Sequence, residues 1–160
     1  MTSNDDLETI RTILSAARIA SVTTQTSTGA LVSRPLALQD REFDGHIYFF
    51  TQDPSPKLDD IATNPNVNVA VDDGKGSLSL SGTATVTHDA KLIDELWNPF
   101  AEAWFEKGRQ DPTVALLDVT VTTAEYWSND KPALARGFET VKGLVTKSAP
   151  DVGENKTVTL

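Results

Sequence analysis

The chain has 160 residues, 39% of them hydrophobic, with 14 basic and 23 acidic side chains for a formal charge of −9, a size and composition suited to one globular domain. Acidic residues are spread along it (Asp5, Asp6, Asp40, Asp59, Asp60, Asp72, Asp73), and a field of that sign repels phosphate backbones, which argues against a nucleic-acid partner. No apolar run reaches the roughly 18 residues of a membrane span, the segment Met1 to Asp6 lacks the basic and apolar parts of a signal peptide, and the lack of cysteine excludes disulfides, thiolate catalysis and cysteine metal sites; a cytoplasmic protein is expected.

Leu7, Ile10, Leu14 and Ala17 recur at helical spacing behind Ser3 and Asn4 as candidate N-caps. Ile19 to Gln25 is rich in β-branched residues, Ser27-Thr28-Gly29 reads as a turn, and Leu31 to Leu38 resumes the strand pattern, so the two segments predict a hairpin. Pro35 cannot donate to a ladder, which marks an edge, a bulge or a place where the sheet opens toward a ligand. Asp44-Gly45 turns into an aromatic strand, His46 to Thr51, and Lys57 to Ala62 reads as a short helix. Val67 to Val71 and Leu78 to Val86 alternate as strands around the turn Asp73 to Gly76, with helical segments following over Leu92 to Trp97 and Pro99 to Lys107. Val114 to Val121 and Ala124 to Trp127 read as the last strands. The stretch from Pro132 onward predicts a helix to about Thr146 and then a polar extension. With no repeat and no linker, this is one domain over residues 1–147 with a tail over 148–160. The tail is expected either to be disordered or to lie across a partner's cleft. Antiparallel strands in this number close most easily into a barrel.

The segment Tyr48 to Lys57 carries the chemistry most worth weighing. A strand ends at the hydroxyl of Thr51, a turn follows, and Ser55 and Lys57 stand at the start of a short helix, where Pro56 fits the first turn. A helix N-terminus with a hydroxyl and an ammonium beside it suits a dianionic phosphate. The plainer alternative is that Ser55 only caps the helix and Lys57 is solvated. Ser33-Arg34-Pro35-Leu36 adds a cation beside an interrupted ladder; alone, it is equally a surface arginine next to an edge-strand proline. Trp97 and Trp104 fall roughly on one face at helical spacing, as cofactor neighbours or as ordinary packing. His46 and His88 belong to no metal-ligand spacing, no Gly-x-Ser-x-Gly elbow is present, and Asp59-Asp60 reads as a solvated helix face.

Taken in order, Ser-Arg-Pro-Leu (33–36), Tyr-Phe-Phe-Thr (48–51), Ser-Pro-Lys (55–57), Asn-Val-Asn-Val (66–69), Ser-Gly-Thr-Ala (81–84), Leu-Trp-Asn-Pro-Phe (96–100) and Glu-Tyr-Trp (125–127) resemble the general-stress-protein branch of the pyridoxamine-phosphate-oxidase-like flavin-binding split barrels. The resemblance implies a mainly β (α+β) fold, a six-stranded antiparallel Greek-key split barrel with peripheral helices. It also implies a homodimer holding FMN in two clefts between subunits, with FAD, deazaflavin or haem in sister branches, and a small-molecule electron donor or acceptor. By the same resemblance Ser33, Arg34, Pro35 and Leu36 would meet the ribityl chain and ring, Phe50 and Thr51 the ring and phosphate, and Ser55 and Lys57 the phosphate. Ser77 would contact the cofactor, Trp97 would stand near it, and Trp127 would reach it from the partner subunit. No residue stands out as an obligatory acid or base. Two departures argue against pyridoxamine-phosphate oxidation itself: Pro56 replaces an arginine after the loop serine, and Ala133-Leu134-Ala135-Arg136 replaces an Arg-x-His substrate motif.

Overall fold

A computed structural model describes residues 2–74, 76–128 and 155–160. The elements are helix α1 (Asn4–Ala16), strands β1 (Ile19–Gln25), β2 (Leu31–Ala37) and β3 (His46–Gln52), helix α2 (Pro56–Thr63), strands β4 (Asn66–Asp72) and β5 (Gly76–Thr87), helices α3 (Ala90–Leu96) and α4 (Pro99–Trp104), a 3-10 turn (Gly108–Gln110), and strands β6 (Val114–Ser128) and β7 (Asn155–Thr159). Ser3 caps α1 through a capping box with Asp6, which satisfies two of the free donors at that end. The Asp44-Gly45 turn forms as expected: Gly45 sits at φ 101, and Asp44 Oδ1 accepts the His46 N–H at 3.2 Å.

Every strand pair is antiparallel, in the order β2-β1-β4-β5-β6-β3 with β7 also on β6. Strands β2 and β3 end the six-strand path and face each other across an open seam, which makes this a split barrel. Pro35 therefore lies on an edge strand, where its missing N–H breaks no ladder bond. Inside the barrel, alternate residues such as Val22, Phe49, Val69, Leu80, Leu117 and Val119 are fully buried together with Ile10 and Ile13 of α1 and Leu58 and Ile61 of α2. The two helices thus contribute to the barrel core, as the period-2 and period-3.6 patterns require. A satellite core of Ile93, Leu96, Phe105, Val114 and Leu116 lies under α3 and α4, with Phe50 and Trp97 packed against it.

Two expectations are corrected here. The predicted break between Val121 and Ala124 is a bulge within one continuous strand of 15 residues: Ser81 pairs with Thr123 but Gly82 with Val121, leaving Thr122 as the extra residue. At that point β6 changes partners on its second edge, from β3 (through Thr120) to β7 (from Thr123). The end of the polar extension is also a strand. Residues 155–159 pair with Thr123 to Trp127, Val158 is buried, and Lys156 Nζ forms an ion pair with Asp6 Oδ1 at 2.7 Å. The predicted helix after Pro132 and the Ala133 to Arg136 segment lie outside the described residues.

Candidate functional site

The residues singled out in the sequence fall into three places, and the barrel's alternation decides which. Arg34 pairs with Val22 on the inward face of the sheet, whereas Ser33 and Pro35 face outward. Inward, Arg34 Nη1 donates to Thr24 Oγ1 at 2.9 Å, and Thr24 Oγ1 donates in turn to Asp60 Oδ2 at 3.1 Å. Arg34 Nη2 lies 3.9 Å from the same carboxylate. Asp60 is one turn along α2 from Lys57, so the helix delivers a cation and its counter-charge to one cradle.

Ser55 is the N-cap residue of α2, and its side chain makes no capping bond; Pro56 occupies the first turn. The Ser55 hydroxyl instead accepts from Lys57 Nζ at 3.2 Å. Burial, and after it the charge of Arg34, push the Lys57 ammonium below its ordinary value. Two like charges that disfavour one another, only one of them, Arg34, beside a carboxylate, are electrostatically unsatisfied. A dianion received by Arg34, Lys57 and the Ser55 hydroxyl would relieve this, so the donor set fits a phosphate group. Thr51 ends β3 fully inside, with Oγ1 turned to the Gln52 carbonyl at 3.3 Å, and Leu36 packs against the barrel core.

The outward residues gather in a second place. Ser33, Arg34, Pro35, Ser77 and Trp127 line one shallow groove of about 560 Å³ over β1, β2, β4 and β5. Ser77 and Trp127 are direct cross-strand partners, and Ser33 Oγ shares a 2.6 Å hydrogen bond with Thr23 Oγ1. The floor between them is small (Ala20, Ser21, Ala70, Ser79), which leaves flat backbone accessible to a planar ring. Arg34 lines this groove and also belongs to the cradle. Within one chain Trp127 thus stands beside Ser33 and Ser77.

Phe50 and Trp97 are not brought to either place. Phe50 and the buried Phe105 each meet the Trp97 ring, at centroid distances of 5.5 and 6.0 Å, and Trp97 Nε1 donates to Glu102 Oε2 at 2.7 Å. Phe50 and Trp97 both pack against the satellite core. Trp104 does not share a helix face with Trp97, because Trp97 is the C-cap of one helix and Asn98 caps the next; it is 65% exposed and stacks on Phe100. Two residues of the cradle, Thr24 and Asp60, were not singled out from sequence, and Asp60 corrects the expectation of a merely solvated face. The available signal was the Lys57-to-Asp60 spacing on a helix whose apolar residues, Leu58 and Ile61, face the core. Among the described residues no group of three or more His, Cys, Asp or Glu could hold a metal ion, and no helix is long and apolar enough to cross a membrane.

Residues 5–151 match the family described as pyridoxamine 5'-phosphate oxidase like. The protein bli-3 of Neurospora crassa is 29% identical over 149 residues, covering 86% of this chain and 71% of its own. A Jannaschia sp. CCS1 structure described as a candidate general stress protein 26 superposes with a TM-score of 0.77 at 27% identity, over 99% of this chain and 100% of the other. The general stress FMN/FAD binding protein of Xanthomonas citri gives a TM-score of 0.72 at 26% identity, over 83% and 95%. A split barrel with these motifs in this order, matched over almost its whole length, leaves one assignment: the chain belongs to the pyridoxamine 5'-phosphate oxidase like family, in its general-stress-protein branch.

Proposed function

We propose that the protein binds a flavin nucleotide, FMN in the first instance and FAD as the alternative, as a cytoplasmic homodimer. Its role would be a flavin-dependent redox protein or a stress-related flavin binder rather than a pyridoxamine-phosphate oxidase. The observation that carries this reading is the cradle of Arg34, Lys57 and Ser55: two adjacent cations and a hydroxyl in a chain of net charge −9. The Xanthomonas citri relative, named as an FMN/FAD binding protein, supports it. A bound flavin supplies reversible electron and hydride transfer; the protein supplies binding, orientation and electrostatics. Lys57 and Ser55 hold the phosphate, and Thr24 and Asp60 fix the Arg34 guanidinium. The groove with Ser33, Pro35 and Ser77 receives the ring, with Trp127 as its wall. A second copy closes the groove and so excludes water from the ring, and a small-molecule donor or acceptor exchanges electrons there. Haem is the weaker alternative, because neither His46 nor His88 lines the groove.

The test is the visible spectrum during titration with FMN, wild type beside Lys57→Ala and Arg34→Ala. Each charge-assisted hydrogen bond contributes about 1.5–3 kcal/mol, so each substitution is expected to weaken saturable binding by roughly ten- to a hundredfold. Absence of binding to the wild type, or binding untouched by both substitutions, overturns the cradle and leaves a dimeric scaffold as the function. Reoxidation of the bound, reduced flavin that accelerates with a specific acceptor distinguishes a redox enzyme from a carrier.

A further inference from the structure

The geometry points to a second ligand site, separate from the cradle, that takes a small aromatic hydroxy acid in the pocket between the end of α1 and the start of β3. This pocket encloses about 600 Å³. His46 and Tyr48, two residues apart on β3, project from the same face. Their rings are stacked, 10° between planes at a centroid distance of 6.0 Å, and together wall one side of the pocket. The Arg41 guanidinium lies 5.2 Å from the Tyr48 centroid, a cation–π contact that fixes the ring.

Each polar group of this wall has a defined role left to fill. His46 Nδ1 is 2.8 Å from Asp118 Oδ1. The carboxylate holds the proton on Nδ1 and leaves Nε2 as an acceptor. The Tyr48 hydroxyl has no hydrogen-bond partner among the described residues; burial, and then the charge of Asp118, raise its ionisation above the ordinary tyrosine value, so it remains a donor. Arg18, also in the pocket lining, has no side-chain partner among the described residues, whereas Arg11 pairs with Glu42 at 3.2 Å and Arg41 with Asp44 at 2.9 Å. Asp40 and Glu42 are the lining's own carboxylates and limit it to one small anion. An acceptor on His46, a donor on Tyr48 and one uncommitted guanidinium beside two stacked rings together describe a small ring bearing a hydroxyl and a carboxylate. The hydroxyl donates to His46 Nε2, and the carboxylate meets Arg18 and accepts from Tyr48.

The site does not depend on the flavin reading, and its test uses the full chain without added flavin. 4-Hydroxybenzoate and benzoate are titrated separately at pH 7.5 while the His46 and His88 ring signals are followed by NMR. The expected result is a saturable shift at His46 but not at His88, with 4-hydroxybenzoate binding roughly two- to tenfold more tightly, the worth of one net hydrogen bond. His46→Phe, which keeps an aromatic ring beside Tyr48, should abolish that preference, and the exposed Arg18→Gln should weaken both ligands. Asp118→Asn tests the positioning role: it should reduce the preference and shift the His46 tautomer signals. No saturable shift, equal affinity for the two acids, or a preference that survives His46→Phe overturns the proposal.

Discussion

Gly82→Ala is the sharpest probe of the bulge on which the sheet turns. A Cβ at position 82 would sit 2.0 Å from the Thr120 carbonyl oxygen, 2.8 Å from its carbon and 3.0 Å from Val121 Cα. Ordinary van der Waals contact begins near 3.4 Å, so the shortfall is about 1.4 Å, and all three neighbours are backbone. Strand β6 cannot retreat, because Thr120 is paired with His46 of β3 while Val121 is paired with Gly82 itself. Forcing extra carbon into a packed site costs about 1–3 kcal/mol, occasionally more, and a collision with backbone ladders on both sides belongs at about 3 kcal/mol. For a chain of this length each kcal/mol moves Tm by about 2–4 °C, which gives a fall of roughly 6–12 °C. Glycine's larger unfolded-state freedom acts the other way, since replacing it by alanine where no clash exists stabilises by about 0.4–1 kcal/mol. Thermal unfolding followed by circular dichroism decides between the two signs. A variant melting within about 2 °C of wild type, or above it, would show that the bulge relaxes freely and refute the argument.

Two further predictions concern charge. Lys156, Ser3 and Tyr126 together hold the Asp6 carboxyl well below the usual carboxylate range; with the folded value depressed, its contribution is present above the unfolded value near 3.9 and is lost as pH falls through the folded one. Denaturant midpoints measured from pH 7 down to pH 2 should therefore fall more steeply for wild type than for Asp6→Asn, and parallel curves would contradict the pairing. Lys57 shows the same sign of linkage at alkaline pH: its folded value is depressed by burial and by Arg34, so between that value and about 10.4 the unfolded chain binds more protons and stability rises with pH. Wild type should gain on Lys57→Met as pH is raised from 7 to 10.5 without phosphate, and a constant difference would mean that the two cations do not feel each other.

The strands were legible wherever one face is buried. His46 to Thr51 alternates cleanly because Ile47, Phe49 and Thr51 point into the barrel, and the motif Ser-Pro-Lys was placed correctly at the entry to α2. Strand β7 was not, because only Val158 of its five residues is buried and one apolar position makes no period. The bulge at Thr122 disguised one long strand as two, since an inserted residue reverses the in–out phase of everything after it. Asp60 was missed for a different reason. Its function depends on Thr24 and Arg34, distant in sequence and brought close by the hairpin of β1 and β2. Phe50 and Trp97, expected near a ligand, pack in this chain against the satellite core, a placement that resemblance and helical spacing did not reveal.

The ion pair between Asp6 and Lys156 also sets an order of events during synthesis. The two residues are 150 positions apart, so the helix that carries Asp6 emerges from the ribosome long before its cation exists. Until position 156 clears the exit tunnel, the carboxylate has only Ser3 and, once β6 has been made, the Tyr126 hydroxyl to receive. The second edge of β6 beyond Thr122 likewise has no β7 to cover it. A nascent chain stalled before that point would display an uncovered strand edge, the feature by which unfinished sheets recruit one another.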